Sequence, residues 1–201
     1  MKKVLLIASV FSFAFAGQAM SAGDAAAGKD KSAACAGCHG MDGNSPAPNF
    51  PKLAGQHAGY LAKQLSDFKS GKRKDATMVG MVAALNDGDM ADLGAYYASQ
   101  TSTTGKAAED KVELGESIFR AGNAASGVSA CAACHGPTGA GNPQANFPGL
   151  GGQHADYTAA QLKKFRNAER NNDAGSMMQV VASKMTDAEI DAVAQYVQGL
   201  Q

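Results

Sequence analysis

Two short stretches hold all four cysteines of the chain: SAACAGCHGMDG, Ser32 to Gly43, and VSACAACHGPTG, Val128 to Gly139. Each contains Cys-x-x-Cys-His, formed by Cys35, Cys38 and His39 in the first and by Cys131, Cys134 and His135 in the second. Three chemistries use cysteines this close together. A redox dithiol of the thioredoxin type follows a strand in an α/β unit, and no strand-like alternation precedes Cys35 or Cys131. A structural zinc site takes four ligands, whereas each motif offers three. Covalent haem attachment uses every element of the motif. Two thiols three residues apart can reach both vinyl groups on one porphyrin edge, and the histidine that follows sits under the ring with its imidazole aimed at the iron. Two copies in one chain favour haem, one group per motif, with the zinc and dithiol readings as alternatives.

Histidine on one side of a haem iron leaves a second axial position to fill. In the first half the candidates are Met41, Met78, Met81, Met90 and His57. An internal repeat chooses among them. The cysteine motifs match at an offset of 96, and NFPKLAGQHAGY (49–60) matches NFPGLGGQHADY (146–157) at 97. The same 97 carries Gln64 onto Gln161, Phe68 onto Phe165 and Arg73 onto Arg170; beyond a further shift, Leu85, Asp87 and Tyr96 meet Met185, Asp187 and Tyr196. Met41 faces Pro137 in the register of the cysteine motifs, and in the last register Met81 faces Val181 while Met78 meets Met178. His39, Met78, His135 and Met178 are therefore the expected iron ligands, although any single methionine can also be core filler. His57 and His154 also pair, so bis-histidine ligation is the rival. The carbonyls of Pro51 and Pro148, each inside the matched Asn-Phe-Pro, are expected to take the second ring proton of the proximal histidines; a plain turn proline is the alternative.

These residues need helices to hold them. Leu61, Leu65 and Phe68 fall on one helical face, as do Met90, Leu93 and Tyr97, and Ile190, Val193 and Val197 in the second half. The latter two segments open with the cap candidates Asn86 and Thr186. No segment shows a convincing period-two strand, so the fold class is all-α. A Ser/Thr/Gly-rich seam from Ser99 to Asp110 separates two tandem units, expected to run over 22–101 and 102–201. The Pro/Gly/Asn-rich run from Gly40 to Gly55 is long for a structureless loop and is expected to wrap a bound group.

Residues 1–21 read as a cleaved secretory signal: Met1-Lys2-Lys3, an apolar run from Val4 to Ala16, then Ala19-Met20-Ser21. The mature protein is expected to be soluble and exported. Without Lys2 and Lys3 the balance is 16 basic to 18 acidic residues, which gives no footprint for nucleic acid. Aromatic residues make up 6% of the chain and tryptophan is absent, so a large apolar core is scarce and a prosthetic group would fill the middle.

In the order of haem motif, proline-bearing loop and methionine before the last helix, each half resembles the class I c-type cytochromes. The tandem, with CAGCHGMDGNSPAPNFPKLAGQ and FPGLGGQHADYTAAQLKKFRN, resembles the dihaem cytochrome c4 family over essentially the whole mature chain. The resemblance implies two small helical domains related by a pseudo-twofold, each around one covalent haem c, with Cys35, Cys38, Cys131 and Cys134 as thioether sites. It also implies no catalytic residue and a respiratory electron carrier in the periplasm, soluble or loosely held at the membrane. A haem–copper terminal oxidase would be the acceptor, and a quinol–cytochrome c reductase the donor. A dihaem peroxidase or a haem subunit of a dehydrogenase complex are the alternatives. Gly28 and Gly115 are expected to pack closely against the last helix of each unit, near Tyr96 and Tyr196. The stretch RAGNAASGV, 120–128, is an insert without a counterpart.

Overall fold

The computed structural model describes residues 23–200 of the 201-residue chain; the expected signal lies outside the described residues. Helices build it, with isolated bridges at Asn123–Val128 and Asn142–Phe147 as the extended pairings among those residues. The first half contains α1 (Ala25–Lys31), α2 (Ala36–His39), α3 (Ala58–Lys69), α4 (Ala76–Val82) and α5 (Asp87–Ala98). The second contains α6 (Glu109–Ala121), α7 (Ala132–His135), α8 (Ala155–Arg166), α9 (Met177–Ala182) and α10 (Asp187–Gly199). No described helix is long and apolar enough to cross a membrane.

Local chemistry sets the helix starts. Asp24 accepts from the N–H groups of Ala26 and Ala27 to open α1. Asn86 and Thr186 each form a reciprocal capping box, with Asp89 and Glu189 respectively, satisfying donors that the first turn would leave unpaired. In each half the last helix packs on the first at a glycine. A Cβ on Gly28 would lie 2.0 Å from the Asp92 carbonyl oxygen and one on Gly115 would lie 2.2 Å from that of Ala192, so backbone meets backbone there. The same Cβ positions come within 2.8 Å of the Cβ of Tyr96 and 2.7 Å of the Cβ of Tyr196, as the resemblance implies.

The two cores differ in size. The first gathers Leu61, Leu93, Tyr96 and Tyr97, with Cys35, Leu53, Leu65 and Leu85 against it. The second is larger, joining Ile118, Phe119 and Val128 to Met185, Ile190, Val193, Tyr196, Val197 and Leu200. The insert explains part of this difference. It lengthens α6 relative to α1, turns at Gly122 and Gly127, both at positive φ, and buries Val128. Asn123 Nδ2 donates to Glu189 Oε1 (2.7 Å) and Lys184 Nζ to the Gly127 carbonyl (3.0 Å), fastening the loop to the start of α10.

The halves meet through reciprocal contacts. Gln56 Nε2 donates to the Gly149 carbonyl and Gln56 Oε1 accepts from Gly149 N–H, both at 2.9 Å. Gln153, its counterpart in the repeat, makes the same pair of 2.9 Å bonds to the backbone of Lys52. Arg73 Nη2 donates to Tyr157 Oη (2.9 Å), and Arg170 Nη2 to Tyr60 Oη (3.0 Å). Contacts in which residue i meets j and j′ meets i′ are those of a twofold axis. The connecting segment is fastened too: Lys52 Nζ donates to the Thr103 carbonyl (2.5 Å), and Gly105 N–H to that of Gln198 (2.9 Å).

Candidate haem sites

A 3₁₀ turn, Ser32–Ala34, delivers Cys35 to the start of the single turn of α2, and Cys131 stands at the start of α7 in the same way. Each short helix ends on the histidine, followed by a glycine at φ 79° (Gly40) or 77° (Gly136), which turns the chain into the loop. All four cysteines are free thiols. Burial pushes the Cys35 thiol up and the Cys131 thiol to about 11. A redox dithiol needs a lowered pKa, so the dithiol reading fails on this environment. The zinc reading fails on geometry. Among the described residues no three histidine, cysteine, aspartate or glutamate side chains converge to hold a metal ion.

His39 and His135 are buried. Nδ1 of each lies 2.9 Å from a proline carbonyl, Pro51 for the first and Pro148 for the second. A carbonyl can only accept, so Nδ1 carries the proton and Nε2 presents its lone pair. Burial pushes both imidazoles below the ordinary histidine value, against the opposing pull of those carbonyls. A neutral, oriented imidazole with Nε2 free of described partners is the form that ligates iron. Phe50 and Phe147, from the same Asn-Phe-Pro stretches, stand against the rings at centroid distances of 6.3 and 6.2 Å. The loop from Gly40 folds back on itself, Ser45 Oγ donating to the Cys38 carbonyl (2.8 Å) and Leu53 N–H to that of Gly43 (2.7 Å).

Met78 and Met178 occupy matching places on α4 and α9, which pack on α3 and α8. Both are half-buried, and an aspartate accepts from each backbone N–H: Asp75 for Met78 (3.1 Å) and Asp173 for Met178 (2.8 Å). Met90 and Met185 are core residues, and Met41 is 73% exposed. The rival histidines sit elsewhere. Both precede their helices at the inter-domain face, and His154 Nε2 pairs with the Ser45 carbonyl of the other half (2.8 Å). His57 Nε2 is buried without a partner.

One constellation went unassigned in the sequence reading. Arg73 and Arg170 are both buried, with no carboxylate of the described residues within ion-pair distance of either. Gln64 Oε1 accepts from both, from Arg73 Nη1 (2.9 Å) and Arg170 Nη2 (3.2 Å). Gln161 Oε1 likewise accepts from Arg170 Nη1 (2.8 Å) and Arg73 Nη2 (3.0 Å). Each guanidinium stacks on a phenylalanine of its own half, Phe68 at 4.6 Å and Phe165 at 4.5 Å. The retention of tyrosine, glutamine and arginine in both repeats was the available signal, since surface residues have no reason to recur in register.

The fit to haem rests on two sets of paired thiols, two oriented imidazoles and a half-buried methionine beyond each. The cytochrome c family model matches residues 25–101 and 112–201. Cytochrome c4 of Pseudomonas aeruginosa is 50% identical over 98% of this chain and 98% of its own. The thiosulfate dehydrogenase electron acceptor of Thiomonas intermedia is 37% identical over 98% of this chain and 90% of its own. The crystal structure of reduced recombinant cytochrome c4 from Pseudomonas stutzeri superposes with a TM-score of 0.87 at 49% identity, covering 90% of this chain and 100% of that one. The chain belongs to the cytochrome c4 family: a dihaem c-type electron-transfer protein rather than an enzyme, with two covalent haem c groups on a duplicated helical fold.

Proposed function

We propose that this chain is a periplasmic carrier that feeds electrons to a haem–copper terminal oxidase from a quinol–cytochrome c reductase, with residues 22–101 and 102–201 as its two units. Bound haem supplies a one-electron Fe(III)/Fe(II) couple, and the protein supplies the ligands. Cys35 and Cys38 hold the first group and Cys131 and Cys134 the second. His39 and His135 would bind the iron, with Met78 and Met178 as its second ligands. So ligated, each group would offer substrate no vacancy and would suit electron transfer.

The supporting observation is the matched pair of Nδ1–carbonyl hydrogen bonds, which orients both imidazoles identically. A spectroscopic redox titration with haem quantified per chain tests the reading. Two haems and a methionine–Fe(III) charge-transfer band, reduced by half in Met78→Ala or Met178→Ala, are expected. Fewer than two haems, or a band indifferent to both substitutions, would refute it. The similarity to a thiosulfate dehydrogenase electron acceptor favours a second reading of the donor, a dehydrogenase in place of the reductase. Reduction rates with each donor separate the two.

A further inference from the structure

The two haem sites differ at one contact against the first cysteine of each motif. The Tyr97 carbonyl accepts from Gly55 N–H and the Val197 carbonyl from Gly152 N–H, each at 2.9 Å, so residues 97 and 197 occupy the same place in the two halves. Tyr97 is 3% exposed and packs in one cluster with Cys35; Val197 is 1% exposed and packs in one cluster with Cys131. A second position repeats the contrast. Ser32, three residues before Cys35, is buried, and its counterpart Val128, three residues before Cys131, is buried in the apolar core. The first half therefore sets a polar pair, Tyr97 with Ser32, where the second sets two valines.

The Tyr97 hydroxyl is buried with no hydrogen-bond partner among the described residues. Such a group is costly to retain unless something uses it. Burial pushes the Tyr97 phenol far up, which keeps its proton on the oxygen as a donor. Ser32 Oγ already donates to the Lys29 carbonyl (2.7 Å), so its hydrogen is committed. The Tyr97 ring cannot swing aside toward the haem loop, because it abuts Gly43, where a Cβ would lie 2.7 Å from Tyr97 Cδ1.

We propose that Tyr97 tunes the first haem site alone, its hydroxyl donating to the Cys35 sulfur, so that the first haem is easier to reduce than it would be in the second half's valine surroundings. The inference rests on haem attachment at Cys35 and Cys38. The sign follows from charge. A donor aimed at the thioether sulfur places the positive end of an O–H dipole at the porphyrin edge, and added negative charge on reduction is stabilised by it. The valines at 128 and 197 provide no such dipole. Tyr97 is in this sense a positioning and tuning residue that leaves both axial ligands untouched.

The test is Tyr97→Phe in the full dihaem protein, read by spectroelectrochemical titration with haem-methyl NMR resonances assigned to each half. One component is expected to fall, with the reduced-to-oxidised ratio of the first haem dropping about three- to tenfold at fixed ambient potential. The second haem should stay within twofold. Peptide mass spectrometry locating haem at residues 35 and 38 checks the underlying attachment separately. In the reduced wild-type protein, the Tyr97 hydroxyl proton should show a nuclear Overhauser contact to the Cys35 β-protons, a readout independent of how well the variant folds. An unchanged first haem, an equal shift in both, or no such contact would overturn the proposal.

Discussion

Removing the Tyr157 hydroxyl would weaken the joint between the halves by an amount that the contacts allow to be worked out. Tyr157 Oη accepts from Arg73 Nη2 at 2.9 Å. Hydrogen bonds to a charged group contribute about 1.5–3 kcal/mol. Arg73 Nη2 retains Gln161 Oε1 at 3.0 Å when the tyrosine oxygen is lost, which places Tyr157→Phe near the low end, about 1.5 kcal/mol. Tyr60→Phe removes the equivalent 3.0 Å bond to Arg170 Nη2, whose remaining acceptor, Gln64 Oε1, is longer at 3.2 Å. It should cost slightly more, about 2 kcal/mol. Replacing an arginine is a less clean perturbation. Two guanidinium charges that share the Gln64 and Gln161 acceptors repel each other, so deletion relieves repulsion while stranding acceptors. Guanidinium chloride unfolding of the holoprotein, followed through haem absorbance and far-ultraviolet circular dichroism, reads the effect. Because both tyrosines feed one network, the double variant should differ from the sum of the singles by 0.5 kcal/mol or more, as expected of about that scale for shared partners. Strict additivity, or a change below about 0.5 kcal/mol in both singles, would refute the claim that this network joins the domains.

Gly115→Ala and Gly28→Ala should each destabilise by about 1–3 kcal/mol or more, because the new methyl meets a backbone carbonyl that cannot move aside; thermal unfolding measures it. Thr186→Ala breaks the capping box of α10 and should cost about 1 kcal/mol, with Thr186→Ser recovering most of it. Burial would push the Tyr157 phenol up, but Arg73 and Arg170 outweigh it and hold it below the ordinary tyrosine value. A depressed acid contributes stability that is fully present above its unfolded pKa, near 10, and is lost as pH falls through the folded value, so this contribution grows as pH rises toward about 10. Tyrosine-selective carbon NMR should show the early titration in the wild type and its return toward about 10 in Arg73→Gln.

Much of this was legible because the chain repeats itself. Cys-x-x-Cys-His needs no fold to be read, and the register alone separated Met78 and Met178 from Met90 and Met185, which the structure places in the core. The helix starts at Asn86 and Thr186 follow from side chains that act within three residues. The interface was less legible for a physical reason. Gln56 and Gln153 bond to backbone atoms of Gly149 and Lys52, and a backbone partner leaves no trace in residue type. The insert at 120–128 was opaque likewise, since its purpose depends on Val128 entering a core assembled mainly from residues some sixty positions later.

The reciprocal bonds across the pseudo-twofold have a consequence for how such a protein can change. An isologous contact is the kind made by a homodimer of identical subunits, where any substitution lands twice. Here one chain runs through both halves, with its connecting segment fastened by Lys52 and Gln198. Association no longer depends on concentration, and each copy of a symmetric position can vary alone. His154 Nε2 reaches the Ser45 carbonyl while His57 Nε2 has no partner among the described residues, and tyrosine stands at 97 where valine stands at 197. Fusion thus lets a single chain make different two haem sites that a homodimer would have to treat alike.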